Sequence, residues 1–289
     1  MADTLSQARE LLESQDFAKA LDLLHQVSPV TSKVKSSVAR ALSGLGRWEE
    51  AHALFSEVVN EDPDCSEAFS GRGLLYFFTG QFEKAKSDYD QALEIDPANG
   101  RYHGLRGVLL GQVGDAPNAL SDLEKAYDLG DHDPSYILAR AQLLLAIRQL
   151  PQAEEALQLA EQHQAEQAAL SSLEGALSML KGNPQEALAS YRFAVDQAPQ
   201  VADNWMNMLA LTAKLDRPRL LEEAHRALEA HPDNEEFIQL TVGALVESGQ
   251  LKEAFALLGD AIKRLPESPL LHFQMGMGLA GSGKFDKAA

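Results

Sequence analysis

A period of 34 residues runs through almost the whole chain of 289 residues. Segments that share one residue pattern, with a single one-residue deletion along the series, start at Ser32, Ser66, Gly100, Pro134, Ala168, Ala202, Glu235 and Pro269. A short period of this kind is typical of stacked units, because each unit buries its apolar face against its neighbours rather than in one central core. The period therefore restricts the chain to a repeat architecture.

Two positions of the unit mostly hold small residues. The eighth position holds Ala8, Ala39, Gly73, Gly107, Ala141, Gly175, Leu209, Val242 and Gly276. The twentieth position holds Ala20, Ala51, Ala85, Ala119, Ala153, Ala187, Leu221, Ala254 and Ala288. Because small side chains let two helices approach closely, these positions predict the crossing point of an antiparallel helix pair.

Glycine and proline mark the ends of the two predicted helices. A glycine that can adopt the left-handed backbone stands between them at Gly46, Gly80, Gly114, Gly182 and Gly249. A proline that stops the second helix stands at Pro63, Pro97, Pro199, Pro232 and Pro266. Each unit is therefore predicted to be a helix, a tight turn and a second helix, and no strand pattern interrupts the series.

These offsets resemble the tetratricopeptide repeat, and the third unit, SEAFSGRGLLYFFTGQFEKAKSDYDQALEIDPAN, is similar to a near-consensus copy. The resemblance covers essentially the whole chain. It implies an all-α, right-handed solenoid of about eight units and a truncated ninth, forming a single domain. The expected units are 1–31, 32–65, 66–99, 100–133, 134–167, 168–201, 202–234, 235–268 and an incomplete 269–289. The seventh unit has Leu221 where the family prefers alanine, and the fifth lacks the closing proline, so both are expected to pack less regularly.

The charge and the cysteine content restrict the partners and the compartment. The chain has 43 acidic and 25 basic side chains and a net charge of -18, which opposes nucleic-acid binding and mildly favours basic partners. An acidic surface also simply keeps a protein in solution. The single cysteine, Cys65, excludes an internal disulfide framework and suits a reducing compartment. With no signal-like segment and no apolar run of about 18 residues, we expect a cytoplasmic protein without a membrane span.

The C-terminal stretch GMGLAGSGKF has the glycine spacing of a nucleotide site at Gly276, Gly278 and Gly281, with Lys284 following. Aligned with the third unit, however, these glycines fall on crossing and turn positions. A phosphate-binding loop also follows a strand and has Ser or Thr after its lysine, whereas Phe285 follows here. The stretch is therefore interpreted as part of a repeat, and no cofactor is expected.

No other pattern predicts catalysis. The eight histidines show no metal-ligand spacing, and Asp131-His132-Asp133 is interpreted as a solvated helix-capping cluster. Paired carboxylates such as Glu222-Glu223 are typical of the wet face of an amphipathic helix. The chain by itself is therefore predicted not to be an enzyme.

The resemblance also implies a binding surface. In the family, ligands generally lie in a concave groove lined by the first helices, at about the second, fifth, ninth, twelfth and thirteenth positions. These positions carry over as a mostly apolar strip with a small basic patch at one end, formed by Lys33, Ser36, Arg40, Leu74, Phe77, Phe78, Arg101, Val108, Gln112, Leu138, Gln142, Met179, Met206, Lys214, Gln239, Phe273 and Met277. Such a strip is expected to hold an extended peptide or a partner helix. Alternatively, some of its members, Phe77 and Phe78 above all, pack within the array.

One specific function of the family is disfavoured. Its chaperone-binding members use a carboxylate clamp with Lys at the fifth and Asn at the ninth position of a first helix, and further Asn, Lys and Arg residues in the next two. The corresponding pairs in this chain are Ser36 and Arg40, Ser70 and Leu74, and Gly104 and Val108. We therefore expect no binding to acidic chaperone tails.

Two functions remain open. One is a non-catalytic scaffold or adaptor that binds a protein or peptide of unknown identity. The other is the N-terminal, substrate-recruiting region of a larger enzyme, such as a sulfotransferase or glycosyltransferase, with a catalytic domain beyond residue 289. The incomplete ninth unit would leave the apolar flank of its neighbour uncovered. This predicts a longer polypeptide, a covering partner, or self-association through the last repeat.

Overall fold

The computed structural model describes residues 2–281, which form seventeen α-helices and no strand. The predicted all-α fold is confirmed. By their contacts the residues separate into two compact units, the N-terminal unit (residues 1–163) and the C-terminal unit (residues 164–289). The predicted turn and second helix of the ninth repeat, with Gly283, Lys284, Phe285 and Ala288, lie outside the described residues.

The N-terminal unit contains five helix pairs, in which each odd-numbered helix is the first of a pair. Its helices are α1 (Ala2–Glu13), α2 (Phe17–Leu24), α3 (Ser32–Gly44), α4 (Trp48–Glu61), α5 (Ser66–Phe78), α6 (Phe82–Ile95), α7 (Gly100–Gln112), α8 (Ala116–Asp128), α9 (Pro134–Ala146) and α10 (Leu150–Gln162). The first helices α1, α3, α5, α7 and α9 pack side by side along the unit. The prediction of one continuous domain stays a prediction.

The C-terminal unit contains three helix pairs and one further helix. Its helices are α11 (Gln167–Leu180), α12 (Pro184–Gln197), α13 (Ala202–Leu215), α14 (Leu220–Ala230), α15 (Glu235–Glu247), α16 (Leu251–Arg264) and α17 (Pro269–Gly281). A 3-10 helix, Arg217–Arg219, precedes α14. Four large side chains of its core, Trp205, Met208, Leu209 and Phe237, are completely or almost completely buried.

Short polar side chains fix where several first helices begin. The Thr31 hydroxyl accepts the backbone N–H of Val34 at the start of α3, and the Asn234 side chain accepts that of Phe237 at the start of α15. Asp133 likewise accepts the N–H of Ser135 at the start of α9. Each bond satisfies a backbone donor that the first helical turn leaves without a partner. The interpretation of Asp131-His132-Asp133 as a capping cluster is thereby confirmed for Asp133.

The paired helices cross at the small residues that the sequence singles out. A Cβ atom on Gly73 would lie 3.3 Å from the backbone oxygen of Ala85 and 2.8 Å from the ring of Tyr89. Ala85 itself is completely buried. The contact between α5 and α6 therefore leaves no room for a larger side chain at position 73.

The turn glycines also behave as predicted. Gly46, Gly80, Gly114, Gly182 and Gly249 all have positive φ, between 71° and 87°. In the fifth unit Arg148 takes this place with φ 61°. The seventh unit departs from the others, because the 3-10 helix replaces the glycine turn and Leu221 is only half-buried. Ala224, three residues later, is the completely buried small residue there.

Candidate functional site

A cavity of about 430 Å³, here called the first-helix cavity, lies in the N-terminal unit. Four successive first helices, α1, α3, α5 and α7, supply most of its walls. Phe55, on the second helix α4, also lines it. Phe55 is almost fully buried, so the cavity rests on the apolar core of the unit. Its volume falls within the range of ligand-binding clefts, roughly 300 to 1,000 Å³.

The walls are largely polar because polar residues recur along one face of each helix. The lining residues of α3, all polar and spaced three or four apart along one face, are Lys33, Ser36, Ser37, Arg40 and Ser43. Those of α5 are Ser66, Glu67, Ser70, Gly71 and Leu74. The apolar residues of the same helices, such as Val34 and Leu75, face the core instead.

Four basic side chains, Arg9, Lys33, Arg40 and Arg101, line the first-helix cavity. Lys33 Nζ lies 3.5 Å from a carboxylate oxygen of Glu67. No hydrogen bond or ion pair joins the side chain of Arg9, Arg40 or Arg101 to another residue of the described chain. These three guanidinium groups are therefore available to a ligand.

Arg40 is the half-buried member of this group. Burial of its guanidinium lowers the pKa of Arg40, and the positive charge of Arg101 lowers it further. Glu13 acts in the opposite direction, with a smaller effect than Arg101. An arginine nevertheless stays protonated at neutral pH. The cavity thus holds a partly desolvated positive charge that Glu13 offsets only in part and that forms no ion pair, an environment that favours an anionic group.

The hydroxyl groups that α3, α5 and α7 contribute to the cavity wall are partly engaged with neighbouring side chains. The Tyr102 hydroxyl lies 3.2 Å from Ser66 Oγ, and Ser36 Oγ lies 3.5 Å from Cys65 Sγ. Burial raises the pKa of Tyr102, against the effect of its bond with Ser66. A neutral tyrosine held by a second hydroxyl gives this wall a fixed shape, since neither group is free to rotate without losing its partner.

The first-helix cavity brings together part of the predicted strip, namely Lys33, Ser36, Arg40, Leu74 and Arg101. The other predicted residues of the N-terminal unit lie outside it: Phe77, Phe78, Val108, Gln112, Leu138 and Gln142. Val108 is half-buried and packs against the core beside Leu123 and Tyr136. Gln112 and Gln142 are exposed, and Leu138 is half-buried.

The two predicted phenylalanines differ in their surroundings. Phe77 is half-buried, with its ring centroid 5.9 Å from that of Phe82. The Phe78 side chain is 60% exposed and its ring lies 6.0 Å from that of Trp48. Phe77 therefore belongs largely to the packing of its own helix pair, whereas Phe78 offers an apolar surface one helical turn beyond Leu74 on α5.

The C-terminal unit has a cavity of its own, here called the C-terminal cavity, of about 500 Å³. Phe273 and Met277 line it together with Gln239, Val246 and Leu251. The remaining predicted residues of this unit lie elsewhere. Met179 and Lys214 are exposed, and Met206 is half-buried against the core around Trp205.

Some lining residues of the first-helix cavity are absent from the predicted strip. Arg9 and Glu13 stand at the ninth and thirteenth positions of the first unit, so the offsets that point to Arg40 apply to them as well. Asn99 and Tyr102 enter from the loop before α7 and from its first turn. They do not stand at the ligand-lining offsets, and no sequence signal marks them.

Residues 2–281 contain neither a metal-ligand cluster nor a membrane-spanning helix. No group of three or more His, Cys, Asp or Glu side chains within that range is arranged to hold a metal ion. None of the helices in the same range has both the length and the apolar character required to cross a bilayer.

Models of the tetratricopeptide repeat match residues 11–75 and 66–99. Residues 11–99 are therefore tetratricopeptide repeats. The repeats explain both the period and the packing of the first helices around the cavity. No protein among curated sequences matches the chain.

Solved structures share the fold at low sequence identity. The crystal structure of PilW, a type IV pilus biogenesis factor, matches with a TM-score of 0.66 and 19% identity over 74% of this chain and 99% of that one. A tetratricopeptide repeat protein from Parabacteroides merdae matches with a TM-score of 0.58 and 16% identity over 84% of this chain and 98% of that one. A chain of the APC/C hetero-tetramer Cut9-Hcn1 matches with a TM-score of 0.66 and 15% identity over 99% of this chain. This chain spans 55% of the length of that one.

Proposed function

We propose that this protein is a non-catalytic scaffold that binds a segment of a partner protein in the first-helix cavity. The observation that carries the proposal is the alignment of four first helices around one cavity, in which three arginines have no partner in the described chain. A site built by successive repeats presents the same kind of wall along its length, and this suits an extended or helical peptide.

The residues of the cavity support binding rather than catalysis. Its described lining includes neither histidine nor cysteine, the commonest general base and the most nucleophilic side chain of enzymes. Leu74 lines the cavity, and the exposed Phe78 lies four residues further along α5. Residues four apart lie on one face of a helix, so a bound segment would contact the charged part and the apolar part together.

The proposal is tested with the full chain and a displayed library of random peptides. Peptides that the wild type enriches are then synthesised with a fluorescent label, and their affinities are measured by anisotropy. We expect Leu74→Glu to weaken binding by at least about tenfold, since a buried apolar contact is worth more than about 1.4 kcal/mol. Leu129→Glu is the matched control, because Leu129 is 40% exposed and lies outside the cavity.

Circular dichroism checks that both variants keep the wild-type helix content. If the library yields no peptide, or if Leu74→Glu and Leu129→Glu bind the enriched peptides as the wild type does, the first-helix cavity is not a peptide site.

A further inference from the structure

We infer that the segment bound in the first-helix cavity is acidic, and that an Asp or Glu carboxylate of the partner lies between Arg40 and Arg101. This inference rests on the proposed function and names the chemistry of the partner at that same site. It concerns a side-chain carboxylate within a peptide.

The arginines of the chain fall into two groups. Of the thirteen arginines, nine form ion pairs: Arg47, Arg72, Arg106, Arg140, Arg192, Arg217, Arg219, Arg226 and Arg264. The other four are Arg9, Arg40, Arg101 and Arg148. Three of these four line the first-helix cavity. The chain has 18 more acidic than basic side chains, so carboxylates are abundant. Even so, most of the arginines without a carboxylate partner lie at the first-helix cavity.

The carboxylates that line the first-helix cavity do not neutralise these arginines. Glu67 lies beside Lys33, with 3.5 Å between the charged atoms, and Asp96 accepts a hydrogen bond of 3.0 Å from the Asn99 side chain. Glu13 is exposed and forms no ion pair with a described residue. The four basic lining residues exceed the three acidic ones by one charge, in contrast to the chain as a whole.

The two arginines repel each other, because folding places both beside one cavity and partly removes Arg40 from water. An anion between them would relieve this repulsion and restore hydrogen-bond acceptors to both guanidinium groups. A carboxylate fits best, because its two oxygens match the planar fork of an arginine and can serve one guanidinium each.

An acidic peptide suits the rest of the cavity better than a nucleic acid does. Leu12, Leu74 and Leu105 contribute apolar contacts within the same cavity, which a peptide side chain can use. A nucleic acid would bring one phosphate every few ångströms towards a chain with a net charge of -18. A peptide with one or two carboxylates brings its charge only to the arginines.

The experiment uses the full chain and the labelled peptides enriched from the random library. Each Asp or Glu of a binding peptide is replaced by Asn or Gln, and the affinities for the wild type, Arg40→Gln and Arg101→Gln are compared. We expect the neutral peptides to bind the wild type at least about tenfold more weakly, as for a lost charge-assisted bond. We expect both arginine variants to bind acidic and neutral peptides nearly equally.

Arg148→Gln is the matched control, since Arg148 is also without a partner in the described chain but lies outside the cavity. It should keep the wild-type preference for the acidic peptides. Arg101 is exposed, so Arg101→Gln keeps the test decisive even if Arg40→Gln disturbs folding. Circular dichroism and the thermal midpoint verify each variant.

The possible failures are distinguishable. If no peptide binds, both the proposed function and this inference are wrong. If peptides bind but their neutral forms bind equally well, or if the arginine variants keep the preference, only this inference is overturned. A short single-stranded RNA is tested in parallel, and an RNA that binds more tightly than the acidic peptides and depends on Arg40 would overturn the inference in favour of nucleic acid.

Discussion

The Arg106 guanidinium donates two hydrogen bonds to the Asp122 carboxylate, from Nε to Oδ2 at 2.6 Å and from Nη2 to Oδ1 at 2.9 Å. Its third donor reaches Asp90 Oδ1 at 2.8 Å, on α6 of the preceding repeat. One repeat earlier, Arg72 holds Asp88 in the same way at the same offset of sixteen residues. In these two repeats the arginine at the seventh position thus joins the two helices of a pair, and Arg106 also joins neighbouring repeats through Asp90.

We predict that Arg106→Ala lowers the free energy of unfolding by about 3 kcal/mol, because it leaves the buried Asp122 with only the His103 ring as a side-chain partner. Urea denaturation followed by circular dichroism measures the change. The control is Lys263→Ala, since Lys263 and Asp260 form an ion pair in which both side chains are largely exposed. Equal effects of the two substitutions would contradict the anchoring role.

Asp90 makes the stability of this network depend on pH. Burial raises the pKa of Asp90. The hydrogen bonds from Lys86 and Arg106, together with their charges, lower it by more, so the pKa lies below its ordinary value of 3.8. A carboxyl whose folded pKa is depressed contributes stability above its unfolded pKa and loses it as pH falls through the folded pKa. We therefore expect stability to fall below about pH 4, and to fall less steeply in Asp90→Asn. Parallel pH profiles of the wild type and Asp90→Asn would exclude this contribution.

The sequence predicts the repeat well but the ion pairs poorly. Gly73, Ala85 and the turn glycines follow from residue size and backbone geometry, which recur at fixed offsets and act locally. The partner of an arginine depends on side-chain direction across a helix crossing. The repeat offsets place Arg40 on the groove and leave Arg72 off it, but they do not show which of the two has a carboxylate partner. Arg72 is neutralised by Asp88, whereas Arg40 is left beside Arg101.

Two mid-helix glycines should respond to alanine in opposite directions. A Cβ on Gly104 would lie 2.2 Å from the Tyr136 ring, whereas a Cβ on Gly243 would meet no atom within 4 Å. We predict that Gly104→Ala destabilises the protein by about 1 to 3 kcal/mol through overpacking. Gly243→Ala should stabilise it by about 0.5 to 1 kcal/mol, because alanine favours the helix. The urea midpoints of the two variants measure both effects, and a shift of the same sign in both would refute the packing at Gly104.

The turn of the fifth repeat is strained at Arg148, whose φ of 61° is one that a side chain disfavours. Glycine should relieve this strain, so we predict that Arg148→Gly stabilises the protein by about 1 kcal/mol. The reciprocal control is Gly114→Ala, at φ 87°, where an added Cβ meets no atom within 4 Å and only the backbone is affected. Thermal and urea midpoints should move up for Arg148→Gly and down for Gly114→Ala. An unchanged midpoint for both would show that these turns tolerate any residue.

Self-association remains a prediction, and the C-terminal cavity is the place to test it. Phe273 and Met277, four residues apart on α17, are 65% and 61% exposed and line this cavity. Apolar surface of this kind is a common feature of interaction sites. We expect the sedimentation coefficient to rise with protein concentration for the wild type and to stay constant for Phe273→Glu combined with Met277→Glu. Phe193→Glu is the control, because Phe193 is 46% exposed in the same unit but lies outside the cavity. A wild type that sediments as a monomer at every concentration rules out self-association, and the exposed phenylalanine and methionine would then be free to meet a different partner.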